Sequence, residues 1–389
     1  MESWFAMKNE QAKKVLTPLR IVGKTSPKVA DSVQDILPYD AVSSLPRILE
    51  RPEMEHFKLD WNESTIPPSP RVKKAVMSYL DGMHSLNFYP ALFSPELRLK
   101  LQSYVGYSAD HILVTNGSDD ALDLICKTYL NPGDHVLTPY PTYTHFLLYA
   151  RSRGALVDKV VPGDVFASDV EGILGALTED TKIIYLVNPN NPTGQLLPNA
   201  ELARIADAAP QAIIIVDEAY MEFAGSTAAG LIADYPNIVV SRSFSKAFGL
   251  AAMRIGYLIA QPVTVRELTR LYNPKSVNQL AQVAASAALD DLEYYRRYLE
   301  EVDRSKKLFV RWCEKRNIPV QNTPANFIMV KVERVGEVVE RLAEVGVYVR
   351  NRSGFPQLNG YFRLNLGTVA QTTAVLKRFE SVLTELGLL

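Results

Sequence analysis

A lysine at position 246 lies in a stretch that is suited to nucleophilic chemistry. It follows an apolar run, 237–240, that is typical of a buried strand, with small hydroxyl residues at Ser243 and Ser245 and a second cation, Arg254, further on. Burial and a neighbouring cation lower the pKa of a lysine, so the neutral amine that attacks a carbonyl is populated near neutral pH. A single lysine after a strand is more often an ordinary surface residue, so the interpretation depends on the other motifs.

Three further motifs follow short apolar runs that predict strands. Ser118 and Asp119 open a predicted helix, where free N–H groups and the helix dipole favour an anion, although both residue types are also ordinary helix caps. The run NPNNPTG at 188–194 combines two prolines and a glycine, which fix a rigid turn, with asparagine amides. Asp217 ends another run and precedes Tyr220, and a carboxylate buried there requires a cationic or hydrogen-bonding partner.

Alternation of apolar runs and helical patterns predicts the elements that position these motifs. We expect an α/β fold whose large domain, 71–275, has a mainly parallel sheet flanked by helices. In such sheets ligands bind at the carboxyl ends of the strands, where all four motifs fall. The predicted strands are 112–114, 136–137, 156–161, 183–187, 213–216 and 238–240, and the predicted helices are 70–82, 95–106, 143–153, 169–177 and 199–208.

The remainder of the chain is expected to form three units. Residues 1–30 are a polar extension, and 31–70 form an arm that packs with a smaller α/β domain, 276–389. In that domain we predict helices at 290–316, 336–345 and from 372, and strands at 326–332, 347–350 and 361–366.

The composition narrows the functional classes. The chain has 389 residues, of which 47% are hydrophobic and 22% charged, and a formal net charge of −1. This balance is typical of a globular protein and gives no reason to expect a nucleic-acid or membrane partner. Two cysteines without metal-ligand spacing indicate buried thiols in a reducing compartment, and the five histidines predict no metal site. With no membrane-spanning run and no signal-peptide core, we expect a cytoplasmic protein.

The four motifs together supply an anion cradle, amide groups, a buried carboxylate, a phenol and an amine. That set suits a phosphorylated aromatic aldehyde whose ring nitrogen requires a counter-ion. From about 59 to 376 the chain resembles the fold-type I, pyridoxal-phosphate-dependent aminotransferases of class I/II, which have an aspartate-aminotransferase-like fold, and it is most similar to the histidinol-phosphate aminotransferases. The most specific parts of the resemblance are 188–194, 217–220 and 243–256.

The resemblance implies roles for individual residues. Lys246 would hold pyridoxal 5′-phosphate covalently and carry a proton, Asp217 would pair with the pyridinium nitrogen, and Asn191 and Tyr220 would hydrogen-bond the phenolate oxygen. Tyr143 would stack on the ring. The phosphate would be bound by Ser118, Asp119, Ser243, Ser245 and Arg254, and by Tyr89 of a neighbouring subunit, so the resemblance implies a homodimer with shared active sites.

The resemblance also implies a substrate side of the site. Arg363 would form a bidentate contact with the α-carboxylate of an amino acid or 2-oxo acid, next to Asn191. Ile66 stands where histidinol-phosphate enzymes usually carry a tyrosine of the substrate wall. Arg350 and Arg352 are either receivers of a substrate phosphate or charges at the rim of the site.

Several functions remain open on the sequence. The favoured one is transamination between an amino acid or amine and a 2-oxo acid, on histidinol phosphate or on another aromatic or specialised amino acid. A decarboxylase or lyase on the same fold is an alternative, because the cofactor supplies the electron sink and the protein selects the bond. A non-catalytic binding protein is disfavoured by Lys246, Asp217 and Asn191, and a nucleotide-binding protein by the lack of a Walker or Gly-x-Gly-x-x-Gly motif.

Overall fold

The computed structural model describes residues 27–38, 42–83 and 86–389. Most of the expected N-terminal extension therefore lies outside the described residues. Within them, the helices are Leu45–Glu50, Pro70–Leu80, Pro95–Val105, Ser118–Tyr129, His145–Ser152, Val170–Gly175, Asn199–Ala208, Met221–Ala224, Pro262–Thr269, Gln279–Leu289, Leu292–Glu314, Val335–Glu344 and Val369–Glu385, with short 3₁₀ helices at Asp31–Val33, Ala109–His111, Ala229–Ala233 and Ala251–Met253. The strands are β1 Phe57–Lys58, β2 Ile112–Thr115, β3 His135–Pro139, β4 Leu156–Val160, β5 Thr181–Val187, β6 Ile213–Asp217, β7 Ile238–Ser243, β8 Gly256–Ile259, β9 Val320–Gln321, β10 Phe327–Lys331, β11 Val347–Tyr348, β12 Arg350–Asn351 and β13 Tyr361–Asn365.

A seven-stranded sheet forms the centre of the described chain, in the order β2-β8-β7-β6-β5-β3-β4. Its strands pair in parallel except β8, which is antiparallel to both β2 and β7. The predicted mainly parallel α/β fold is confirmed. Strand β8 was not predicted, because 256–259 follows directly on the lysine motif and has no turn signal of its own.

The middle strands are apolar because both faces of the sheet are covered. Along β5, Ile184 and Leu186 belong to one hydrophobic cluster, whereas Ile183 and Tyr185 belong to the cluster on the other face. Side chains alternate between the two faces of a strand, so a strand buried on both sides must be apolar throughout. This burial fixes the strand ends, and with them the positions of the motifs that follow.

A second, smaller sheet lies beyond the central one and is antiparallel, in the order β12-β13-β10-β9. Strands β1 and β11 pair separately, in parallel. The long helices Leu292–Glu314 and Val369–Glu385 pack against each other, with Phe309 and Phe379 buried between them at 5.9 Å between ring centroids. The stretch 347–350, predicted as one strand, is divided between two partners: β11 pairs with β1, and β12 with β13.

Two segments contact the central sheet's helices although we assigned them elsewhere. Helix Gln279–Leu289, within the expected smaller domain, packs against helices Pro70–Leu80 and Pro95–Val105 through a face of small residues. The first part of the expected arm, Asp31–Val33, contacts helix His145–Ser152, where Ser32 Oγ donates to the Ser152 carbonyl at 3.0 Å. The later part of the arm packs with the expected smaller domain: β1 pairs with β11, and the Asn365 N–H of β13 donates to the Leu59 carbonyl at 3.1 Å.

Two searches of the described residues were negative. None of the helices in 27–38, 42–83 and 86–389 has the length and apolar character required to cross a bilayer. Over the same residues, the His, Cys, Asp and Glu side chains form no group of three that could hold a metal ion.

Candidate active site

A cavity of about 540 Å³ lies between the carboxyl ends of the central strands and the smaller sheet. Parallel strands end at the same edge of a sheet, so motifs that are far apart in the sequence meet there. The structure brings most of the predicted site residues together in this cavity. They are Ser118, Asp119, Tyr143, Asn191, Asp217, Tyr220, Ser243, Ser245, Lys246, Arg254, Arg350 and Arg363.

Asp217 is a buried carboxylate at the end of β6. Its Oδ2 accepts a hydrogen bond from the Tyr185 hydroxyl at 2.9 Å, while Oδ1 makes no hydrogen bond within the described part of the chain. Burial raises the pKa of Asp217 to about 7, although the Tyr185 hydroxyl and the Ala219 N–H both lower it. A carboxylate in this state stabilises a cation that enters the cavity beside it.

Lys246 is surrounded by other side chains, and its side chain lines the cavity. Its Nζ donates to the Trp61 carbonyl at 2.9 Å. Burial, and then the positive charge of Arg363, lower the pKa of Lys246 to about 8. The neutral amine is therefore available near physiological pH, as a nucleophilic lysine requires.

The start of helix Ser118–Tyr129 and the turn before β8 form an anion cradle. Gly117 has a φ of +87°, and a Cβ there would lie 2.9 Å from Nη2 of Arg254. A Cβ on Gly256 would lie 2.8 Å from the Ser118 backbone nitrogen. Both glycines thus leave room for the guanidinium and the helix N–H groups to converge, which is the arrangement that binds a phosphate.

Side chains around the cradle hold it in place. Asp119 pairs with Arg254 at 3.2 Å through Oδ2 and accepts the Tyr143 hydroxyl at 2.9 Å through Oδ1. The Ser243 hydroxyl accepts the backbone N–H of Ser245 at 3.1 Å. Tyr143 is thereby fixed at the cavity wall, and it lies in a loop rather than in the predicted helix, which begins only at His145.

Arg363 crosses from the smaller sheet to the turn at 188–194. Its side chain is buried, its Nη1 donates to Asn191 Oδ1 at 2.5 Å, and its Nη2 donates to the Asp60 carbonyl at 2.7 Å. The guanidinium also lies 5.5 Å from the Phe327 ring centroid. A buried guanidinium at a cavity wall is suited to bidentate recognition of a carboxylate.

Tyr220 lines the same cavity and is almost fully buried. Its hydroxyl accepts a hydrogen bond from Asn62 Nδ2 at 3.0 Å. Burial raises its pKa, against the nearby Arg363, which lowers it. The hydroxyl therefore stays protonated at neutral pH and can donate one hydrogen bond into the cavity.

The mouth of the cavity is formed by the smaller sheet and the arm. Arg350 Nη1 and Trp61 Nε1 both donate to the Val42 carbonyl, at 2.7 Å and 2.9 Å. Arg352 and Phe355 also line the cavity, and the guanidinium of Arg352 lies 5.8 Å from the Phe355 ring centroid. Cationic and aromatic groups thus surround the entrance.

Two predicted site residues do not line the cavity of this chain. Ile66 lies in the adjoining loop, where its backbone N–H donates to the Ser64 hydroxyl at 3.3 Å. Tyr89 is 80% exposed, and Lys275 lies 4.7 Å from its ring centroid. Tyr89 therefore completes a site only if it reaches another subunit.

A buried ion pair supports the strand ends that carry the site. Glu218 follows Asp217, Arg242 precedes Ser243, and their side chains pair at 3.0 Å with 1% and 4% exposure. Thr227 joins them, donating to Glu218 at 2.8 Å and accepting from Arg242 at 2.6 Å. The pair ties the end of β6 to the end of β7, so the carboxylate and the cradle are held in register.

Sequence reasoning missed Tyr185 and Phe355. A tyrosine in the otherwise aliphatic β5 is a signal, because a buried phenol requires an acceptor, but the register that brings it to Asp217 is visible only in the folded sheet. Phe355 lies in an irregular loop, where neither periodicity nor spacing places a side chain.

Comparisons with known proteins agree with this geometry. The family model for aminotransferase class I and II matches residues 55–379. A histidinol-phosphate aminotransferase of Methanosarcina mazei is 36% identical over 328 residues, 83% of this chain and 87% of the relative, and a dihydroxyacetone phosphate transaminase of Campylobacter jejuni is 32% identical over 355 residues, 90% and 95%. The solved histidinol-phosphate aminotransferase of Sinorhizobium meliloti, in complex with pyridoxal-5′-phosphate, superposes with a TM-score of 0.85 at 25% identity, covering 93% of this chain and 99% of that one. This chain belongs to the class I and II aminotransferase family.

Proposed function

We propose that this chain is a pyridoxal-phosphate-dependent aminotransferase of the histidinol-phosphate aminotransferase type. It moves an amino group between an amino acid or amine and a 2-oxo acid. The observation that carries the proposal is the convergence of Lys246, Asp217 and the cradle at Ser118 and Arg254 on one cavity. A nucleophilic amine, a carboxylate for a ring cation and a phosphate site are the three requirements of this cofactor.

The residues present fit the cofactor. Asp217 Oδ1 is buried and makes no hydrogen bond among the described residues, so a pyridinium N–H would satisfy it. The cradle is open only because Gly117 and Gly256 lack a Cβ. Ser243, Ser245 and Arg254 would contact the phosphate, and Tyr143 would cover the ring.

The chain's own groups account for the rest of the chemistry. When bound, pyridoxal phosphate supplies a carbonyl for amines and a ring that withdraws electrons from the substrate. Lys246, with its lowered pKa, holds the cofactor and accepts and returns the proton at the substrate Cα. Asp217 would pair with the ring nitrogen and keep it protonated, and Asn191 and Tyr220 would donate hydrogen bonds to the phenolate oxygen. Arg363 would hold the substrate carboxylate, a contact that favours loss of the Cα proton, and hence transamination, over decarboxylation.

A phosphorylated substrate is part of the proposal. The two named relatives, one for histidinol phosphate and one for dihydroxyacetone phosphate, differ in their substrates but share a phosphate ester. Arg350 lies at the mouth of the cavity, where its guanidinium donates a hydrogen bond to the Val42 carbonyl. A phosphate oxygen of the substrate can replace that carbonyl as the acceptor. Ile66 remains a proposed part of the substrate wall only through its loop, since its side chain does not line the cavity.

We also propose a cytoplasmic homodimer with two domains, 71–275 and 276–389. Support for the dimer comes from a segment with five exposed apolar side chains, whose members are Met83, Leu86, Phe88, Tyr89 and Leu92. Tyr89 would bind the cofactor phosphate in the partner's site. Two buried cysteines without a disulfide partner support a reducing compartment.

The experiment that tests the proposal locates the reactive lysine. Purified protein is incubated with pyridoxal phosphate, reduced with borohydride and mapped by peptide mass, and transamination is assayed with phosphorylated amines and their dephosphorylated counterparts. We expect the added mass on Lys246, a loss of at least about a thousandfold in turnover for Lys246→Ala, and normal turnover for the control Lys127→Ala at an exposed lysine. Mass on a different lysine, or near-normal turnover of Lys246→Ala, would refute the assignment.

A further inference from the structure

Tyr185 is a buried phenol that contacts the site from behind. It lies in β5, two positions before Val187, which is the register partner of Asp217 in β6. Its side chain is fully buried, and its ring stacks on Phe146 with 3.8 Å between centroids and 22° between planes. Its backbone is held as well, because the Thr138 hydroxyl donates to the Tyr185 carbonyl at 2.8 Å. The hydroxyl therefore has one fixed position, 2.9 Å from Asp217 Oδ2.

We propose that Tyr185 is a positioning residue for the Asp217 carboxylate: it holds Oδ2 and leaves Oδ1 as the oxygen that meets the ring cation of the cofactor. The inference rests on the proposed function for the identity of that cation. The contact itself involves only residues of this chain, because the Tyr185 hydroxyl donates to Asp217 Oδ2.

The argument follows from what one donor does to a buried carboxylate. A carboxylate that lacks any fixed donor is free to rotate about its terminal torsion, which is broad for aspartate. The Tyr185 hydroxyl on Oδ2, together with the backbone N–H of Ala219, restricts that freedom, and the binding of a cation then costs less ordering entropy. A neutral phenol also stabilises the ionised form of the acid, which the pyridinium requires, whereas burial opposes ionisation.

The phenol is a reliable donor in this position. Burial, and then the charge of Asp217, raise the pKa of Tyr185 well above its ordinary value of 10, so it keeps its proton throughout the working pH range. The charged groups that face Asp217 from other positions are Asp119 at the helix start and Glu218 next in sequence, and both raise its pKa. The hydrogen bond from Tyr185 lowers the pKa of Asp217 and so opposes both groups.

The first test is Tyr185→Phe, which removes only the hydroxyl and keeps the ring that packs on Phe146. We expect the affinity for pyridoxal phosphate, measured by equilibrium dialysis, to fall by about tenfold or more, since hydrogen bonds to charged groups are strong. The control is Tyr272→Phe, another buried tyrosine whose hydroxyl donates to the Val114 carbonyl at 2.8 Å, and its affinity should be unchanged. An unchanged affinity in Tyr185→Phe would overturn the proposal.

A double-mutant cycle shows whether the effect passes through Asp217. In the Asp217→Asn background, Tyr185→Phe should change the cofactor affinity by less than about twofold, because the carboxylate on which it acts is gone. An equal loss in both backgrounds would mean that Tyr185 acts on the fold and not on the carboxylate, and would overturn the proposal.

A measurement without cofactor separates this inference from the proposed function. Asp217 loses its proton at a higher pH when the Tyr185 donor is removed, so the fall of unfolding free energy with pH should continue to a higher pH in Tyr185→Phe. Urea titrations between pH 5.5 and 9 record that fall. A purely structural role would lower stability equally at every pH, and such a result would contradict the inference even if the chain binds the cofactor as proposed.

Discussion

At the scale of single residues, Asp217 is a group that suits ligand binding but lowers the unfolding free energy of the chain when no cofactor is bound. It lies at the end of a strand with one oxygen held and the other without a hydrogen bond among the described residues. Burial raises its pKa from an ordinary value of 3.8 to about 7. The folded, cofactor-free chain thus binds this proton more tightly than the unfolded chain does, so its unfolding free energy falls as the pH rises from about 4 to 7.

A substitution that cannot ionise should remove this fall. We expect Asp217→Asn to unfold with a free energy about 1 kcal/mol or more above that of the parent at pH 8.5, and to differ little at pH 4.5, when both are free of cofactor. Urea denaturation followed by circular dichroism measures this. The same variant should bind pyridoxal phosphate at least tenfold more weakly, because the ring cation loses its counter-ion.

The control for this prediction is Asp110→Asn, at a carboxyl group that is 84% exposed. Its unfolding free energy should differ from that of the parent by less than about 0.5 kcal/mol at both pH values. A destabilised Asp217→Asn at pH 8.5 would show that the buried carboxylate stabilises the empty fold, contrary to this argument.

At the scale of elements, the site could be predicted from the sequence wherever a motif follows a strand. Asp217, Asn191 and Lys246 were assigned to strand ends, and the folded sheet places them on one cavity. The sequence could not show how the strands pair. The contact of Tyr185 with Asp217 depends on the register between β5 and β6. The antiparallel strand β8 depends on the turn after Lys246, which has no turn signal that separates it from the lysine motif. Local pattern predicts elements, whereas tertiary contacts decide their partners.

The anion cradle permits a prediction at this scale, since it depends on a glycine. Gly117→Ala should weaken pyridoxal phosphate binding by at least about tenfold, because the new Cβ would displace the Arg254 guanidinium from the helix start. Gly106→Ala is the matched control: its φ of +80° carries the same backbone strain, but no atom lies within 4 Å of the added Cβ. Equal cofactor affinity in the two variants would show that the cradle does not hold the phosphate.

At the scale of the whole molecule, the exposed position of Tyr89 bears on the proposed dimer. If Tyr89 completes the partner's site, Lys246→Ala and Tyr89→Ala chains, each impaired alone, should restore activity when refolded together. Random pairing yields about half mixed dimers, each with one intact site of two, so about a quarter of the parent activity is expected. Activity no greater than the average of the separate variants, or a monomer in sedimentation, would contradict the shared site.

The domain description is also a matter of the whole molecule. Helix Gln279–Leu289 and the 3₁₀ turn Asp31–Val33 were assigned by their neighbours in sequence, yet both contact helices of the central sheet. A face of alanines on helix Gln279–Leu289 allows it to approach helix Pro70–Leu80 closely. A run of alanines does not indicate in the sequence to which domain a helix belongs. The alternation of strands and helices therefore predicts two domains, but it does not predict these two contacts across the proposed boundary.

The cradle at Ser118, Ser243 and Arg254 is built from three separate stretches of the chain, and a ligand bound there would contact all three and stabilise the folded arrangement. A molecule that binds the folded form alone shifts the folding equilibrium by mass action. Newly made protein would therefore survive proteolysis according to the supply of the vitamin from which the cofactor is made. Cells starved of that vitamin would lose the polypeptide itself as well as its activity.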